Sequence, residues 1–88
     1  MAAILLLDSD STRRDSVALT LRAHGYQVLT IEDNMEPLSI IDSKISWIDI
    51  VLAETINADE TLWRQLAHIC SIRRKDGLPP LIVSSTTV

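Results

Sequence analysis

The stretch Ile48-Asp49-Ile50-Val51-Leu52-Ala53-Glu54 constrains this chain more than any other. Ile48 and the run from Ile50 to Ala53 are apolar, and only Asp49 interrupts them. A continuous run rich in β-branched residues suits a parallel strand covered on both faces. A helix of that length would be short, and no capping residue opens one. In open α/β sheets the functional crevice lies outside the carboxyl ends of the strands. Glu54 stands at that end.

The rest of the chain is built around this strand. Ala3 to Leu7 is a second apolar run and stops at Asp8. Asp8-Ser9-Asp10-Ser11-Thr12 has turn and N-cap chemistry, because its side chains accept from free helix N–H groups. A helix is expected from about Thr12 to His24, with Val17, Ala18 and Leu21 on its apolar face and Arg13, Arg14, Asp15 and Arg22 on its wet one. Gly25 suits the left-handed position after a helix. Tyr26 to Ile31 reads as a strand of β-branched and aromatic type. Glu32-Asp33-Asn34 closes it and offers a cap to the next helix. Pro37 falls in that helix's first turn, where its missing N–H is harmless. Leu38, Ile41 and Ile45 give the apolar spacing.

After Glu54, Asp59 or Asn57 can cap a third helix, about Glu60 to Lys75. Its inner face is Leu62, Leu66, Ile69 and Cys70. Asp76-Gly77 ends it, Pro79-Pro80 prevents its return, and Leu81 to Ser84 is a fourth strand. The pattern β-α-β-α-β-α-β implies a parallel sheet with right-handed crossovers. No glycine-rich loop follows the first strand, so a Rossmann-type dinucleotide site has no fingerprint.

Composition narrows the function classes. A formal net charge of -4 opposes a general affinity for nucleic acid. The lone Cys70 excludes an internal disulfide and a Cys-based zinc cluster. The Met1 end carries neither a signal peptide nor a membrane span, so no membrane role is expected and a cytoplasmic setting is. Residues 1–88 read as a single domain.

Four stretches now make the chain resemble a known family, the receiver domain of two-component response regulators. Ile4-Leu5-Leu6-Leu7-Asp8-Ser9-Asp10 looks like that family's first strand and acidic pair, and His24-Gly25-Tyr26-Gln27-Val28 like its first helix end and second strand. Asp49 to Glu54 looks like the phospho-acceptor strand. Pro80 to Ser85 looks like the fourth strand with its hydroxyl. The resemblance implies a flavodoxin-like, doubly wound α/β fold with strand order 2-1-3-4-5. It implies phosphoryl transfer from a histidine kinase to an aspartate, with Mg²⁺ held by that aspartate and the acidic pair.

Carried over by position, Asp8 matches the first acid and Ser9 stands where the second belongs. Glu54 stands at the phospho-acceptor position, and Ser85 matches the sensing hydroxyl. The fifth strand, its lysine and the flanking helices have no counterpart. Mg²⁺ demands near-ideal octahedral oxygen coordination. Ser9 removes a charged ligand, and Glu54 displaces its oxygens by an extra methylene. The expectation is weak or no Mg²⁺ binding, with Asp8 and Glu54 the weak candidate ligands, and no phosphorylation at Glu54. Glu54 is then a solvated carboxylate closing a strand, a fixed charge imitating the phosphorylated state, or a vestige.

A sheet ending at the fourth strand would have an open edge and a partly bare face. Either the chain belongs to a longer regulator, or it completes itself as a homodimer by pairing fourth strands or swapping elements. Arg73-Arg74-Lys75 is expected at the third helix's end, where cations suit the macrodipole. His24 and His68 lack metal-like spacing. Cys70 reads as a small core residue, and Trp47 and Trp63 as core or interface anchors. The function expected is not enzymatic. It is phosphorylation-independent interaction with a protein partner or output domain, in signal transduction or transcriptional control. The alternative is a conventional phosphorylatable or ligand-gated switch at the Asp8–Glu54 pocket.

Overall fold

In a computed structural model, residues 2–31, 37–56, 58–74 and 76–85 are described, and at 37–40 and 85 the description extends to the backbone alone. The elements run β1 (Ala3–Leu7), α1 (Ser11–Ala23), β2 (Gln27–Thr30), α2 (Pro37–Lys44), a 3₁₀ turn (Ile45–Trp47), β3 (Ile50–Glu54), α3 (Glu60–Cys70) and β4 (Leu81–Ser85). All four strands are parallel, in the order β2-β1-β3-β4. The alternating α/β pattern read from the apolar runs is the one observed.

β1 and β3 are the two inner strands, and β1 is the more deeply buried. Its five residues are all buried, Leu5 at 1% exposure. Leu5 pairs with Leu29 of β2 on one side and with Val51 of β3 on the other. Strand alternation then sorts the side chains onto two faces. Ala3, Leu5, Leu7, Val51 and Ala53 join Ile41, Ile45, Ile48, Leu62, Leu66 and Ile69 in one core beneath α2 and α3. Ile4 and Leu6 face the other way, towards α1, whose Ala18 is buried.

α1 is capped at its start by Asp10, whose carboxylate accepts the Arg13 N–H. After its last turn Gly25 adopts φ 92°, the left-handed region where a Cβ is costly. Gly25→Ala is expected to lower the unfolding free energy by about 1 kcal/mol, read by urea denaturation.

Several boundaries differ from the sequence expectation. β2 begins at Gln27 because the Tyr26 N–H turns back to the Leu21 carbonyl. β3 begins at Ile50, since the Ile48 N–H closes the 3₁₀ turn on Ile45. α3 stops at Cys70, well before Lys75. The Ser71 and Ile72 N–H groups tighten onto His68 and Ile69, and the chain turns through Gly77 at φ 82°.

Three side-chain assignments are corrected, the first by that early stop. Arg74 is no helix-end cation: its guanidinium bridges Asp49 and Asp76. The carboxylate of Asp49 also accepts the Ala3 N–H at 2.9 Å, so this one polar residue staples the amino ends of β1 and β3 to the returning loop. Arg73 keeps the expected place near the helix end, donating to the Cys70 carbonyl. Cys70 is exposed rather than packed in the core. Arg14, expected on the wet face of α1, is buried and donates to the Asp8 carbonyl.

Trp47 and Trp63 are about half exposed, at 49% and 51%, so neither is a core residue. His24 caps the end of α1 as expected, and His68 reaches across to Asp42 of α2 at 2.6 Å. Leu81 and Val83 of β4 stand 61% and 42% exposed, and no described helix covers them. Among the described residues no helix is long and apolar enough to cross a membrane. The expected cap Glu32-Asp33-Asn34, the alternative cap Asn57, Lys75 and the side chain of Leu38 lie outside the described residues.

Candidate functional site

The carboxyl ends of β1 and β3 carry the residues singled out in the sequence. β1 delivers Asp8 to the sheet's rim, where it is buried at 7% exposure. The Asp10 cap sets the first turn of α1 so that Arg13 lies over the strand end. Its guanidinium then grips Asp8 with both prongs, Nε to Oδ2 at 2.7 Å and Nη2 to Oδ1 at 2.8 Å. The Asp10 N–H donates to Oδ1 as well, at 2.9 Å. Such fork-to-fork pairs are the strongest hydrogen bonds a carboxylate makes with a side chain.

Burial alone pushes the Asp8 carboxyl up. The Arg13 hydrogen bonds, the Asp10 N–H and the charges of Arg13 and Arg14 outweigh it and leave the group below its usual value of 3.8. Arg13 is held more firmly protonated by its hydrogen bond to Asp8, against some desolvation, with further help from the charges of Asp8 and Glu54. Glu54 therefore belongs to the same electrostatic cluster without bonding to Arg13. Its Oε1 instead accepts the Ile56 N–H at 2.9 Å and closes the turn after β3.

Ser9 is exposed, and its hydroxyl accepts the Asp59 N–H at 3.4 Å, joining the loop after β1 to the start of α3. Asp59 in turn caps α3 through the Leu62 N–H. Ser85 stands opposite Glu54 in the β3–β4 ladder, and its side chain lies outside the described residues. The backbone thus brings Asp8, Ser9, Glu54 and Ser85 to one end of the sheet.

These groups do not fit a Mg²⁺ ion. Both Asp8 oxygens are committed, one to Arg13 and the other to Arg13 and the Asp10 N–H. The second acid position is the Ser9 hydroxyl, and Glu54 is tied into its own turn. A cation at Asp8 would have to displace a guanidinium already there. Among the described residues no three His, Cys, Asp or Glu side chains gather as a ligand set.

The lowered Asp8 carboxyl has a consequence for acid stability. In the unfolded chain the group holds its proton more tightly, near 3.8. Its stabilising contribution is complete above that value and is lost as pH falls through the lower folded value. Denaturant titrations across the acid range are expected to show stability falling below about pH 4 in the wild type. Asp8→Asn flattens that dependence.

A cleft of about 220 Å³ opens beside Asp8, between β1, the end of β2 and the first turns of α3. Leu6, Leu7, Ile31 and Leu62 form its apolar walls, and Asp8, Ser9, Arg14, Asp59, Thr61 and Gln65 its polar lining. Gln65 is buried at 8% exposure, and its side-chain amide has no hydrogen-bond partner among the described residues.

Neither the clamp nor Gln65 was foreseen. The sequence pattern puts Arg13 on the wet face of α1, although an Asp10 cap places it in the first turn above Asp8. Gln65 sits three residues after Leu62 and four before Ile69, the spacing of the buried face. Comparison with protein-family models, with curated proteins and with solved structures finds no match to this chain.

Proposed function

We propose that this chain is a receiver-like signalling module of flavodoxin-like, doubly wound type, whose acidic corner works without metal or phosphate. The observation that carries this reading is the two-pronged grip of Arg13 on Asp8. In the receiver chemistry that the sequence resembles, a divalent cation neutralises the acidic pocket. Here a guanidinium from the first turn of α1 supplies the positive charge from within the chain. Glu54 adds a fixed negative charge where an aspartate would be modified.

The parallel order β2-β1-β3-β4, with Asp8 and Glu54 at the ends of adjacent strands, supports the receiver-like reading. A module built this way presents one surface constantly, and its regulation lies in what binds it. The exposed Leu81 and Val83 on an edge strand support a protein partner, an output domain or a second copy as a homodimer, in cytoplasmic signalling or transcriptional control.

The test is chemical. The folded chain, incubated with Mg²⁺ and a small phosphoryl donor, is expected to keep its intact mass. The gain of one phosphoryl group on Glu54 would end this reading.

A further inference from the structure

We propose that the cleft between β1 and the first turns of α3 binds a small uncharged heterocycle bearing a hydrogen-bond donor and acceptor side by side, as a nucleobase edge or a cyclic amide does. The Gln65 amide carries the argument. The residue is more than nine-tenths buried and lines the cleft, and its amide, which makes no hydrogen bond to the described residues, opens into that cleft. An amide that opens only into a cleft is satisfied there by water, and a ligand edge with matching groups can take that water's place. A primary amide offers N–H and C=O in one plane, and its natural complement is the same pair reversed.

The walls fix the rest of the ligand. Leu6, Leu7, Ile31 and Leu62 supply apolar lining for a ring, and Thr61 lines the cleft beside Gln65. A volume of about 220 Å³ holds about seven waters at ~30 Å³ each. That matches one or two fused rings, and it is smaller than the cavities of about 300–1,000 Å³ that take larger ligands. The charges also balance. Asp8 is paired with Arg13, Arg14 approaches Asp15, and the Asp59 carboxylate accepts the Leu62 N–H, so each charged residue of the lining is already engaged. No surplus charge selects an anion or a cation. The site uses α3 and Gln65, not Glu54 or Ser85, so the inference does not rest on the receiver-like reading.

Adenine, uracil and adenosine are the probes, titrated into the full chain by calorimetry while NMR follows the Gln65 side-chain NH₂ resonances. Adenosine beside adenine separates a nucleoside from a free base, and binding of any of the three supports the proposal. The expected result is saturable binding that moves the Gln65 resonances and weakens about tenfold or more in Gln65→Leu, the loss of a two-point edge contact. Gln65→Leu is expected to fold with a thermal midpoint close to that of the wild type, because no hydrogen bond within the described residues is lost. Should that variant not fold, Gln65→Met serves in its place. Absence of any shift in the folded wild type, or undiminished binding by the apolar variant, overturns the proposal.

Discussion

Ile69→Ala is expected to lower the unfolding free energy by about 2–5 kcal/mol, the range for truncating a buried isoleucine. Ile69 is fully buried, at 0% exposure, in the core that also takes Leu62 and Leu66 from α3 and Ile41 and Ile45 from the α2 region. Among the described residues the polar ties of α3 to the rest are the Ser9–Asp59 hydrogen bond and the His68–Asp42 contact. At ~0.05–0.15 kcal/mol per residue, 88 residues have roughly 4–13 kcal/mol of stability in all. One truncated isoleucine therefore removes a large share. Leu19→Ala is the control, because Leu19 is 70% exposed on α1 and its loss is expected to stay within about 0.5 kcal/mol. Urea unfolding of the two variants side by side checks both numbers.

Arg13→Ala is expected to move the acid transition to higher pH. The carboxyl of Asp8 remains buried after the guanidinium is gone, and burial was the largest influence pushing it up. Only the Asp10 N–H and the charge of Arg14 then hold it down. The folded group takes up its proton at higher pH than in the wild type, so the stability it contributes disappears sooner as the solution is acidified. Arg13→Lys separates charge from geometry. A lysine restores a positive charge without the planar fork, so its transition is expected between the other two. Circular dichroism followed from neutral pH downwards reads all three proteins. Coincident curves for Arg13→Ala and wild type would show that the clamp contributes nothing.

The sheet was legible because its strands are continuous apolar runs, and β1 and β3 read that way from residue types alone. The end of α3 was not legible. Ile69, Cys70 and Ile72 continue an apolar pattern past the point where the backbone must turn to reach β4. What stops the helix is tertiary: Arg74 anchors to Asp49, a residue twenty-five positions earlier that also holds the Ala3 N–H. No local propensity reports such a staple. The acidic corner was half legible. The positions of Asp8 and Glu54 follow from being the first polar residues after buried strands. The partner of Asp8 does not follow from its type, since an arginine in a first helical turn normally reads as solvated. Helical phase marks Gln65 as buried, but its polarity argued against the face it occupies.

Trp47 precedes the amino end of β3, whereas Glu54 closes the carboxyl end, so its fluorescence is a remote reporter of the acidic corner. The Asp10 and Ile56 amides are direct ones, because they donate to Asp8 and Glu54. Their NMR shifts, followed as Mg²⁺ and then beryllofluoride are added to the full chain, test most directly whether Arg13 already fills the role of the cation. The account predicts no saturable movement of either amide in the wild type. Saturable shifts of both, in protein that stays folded, would contradict it and make the acidic corner a working metal and phosphoryl site.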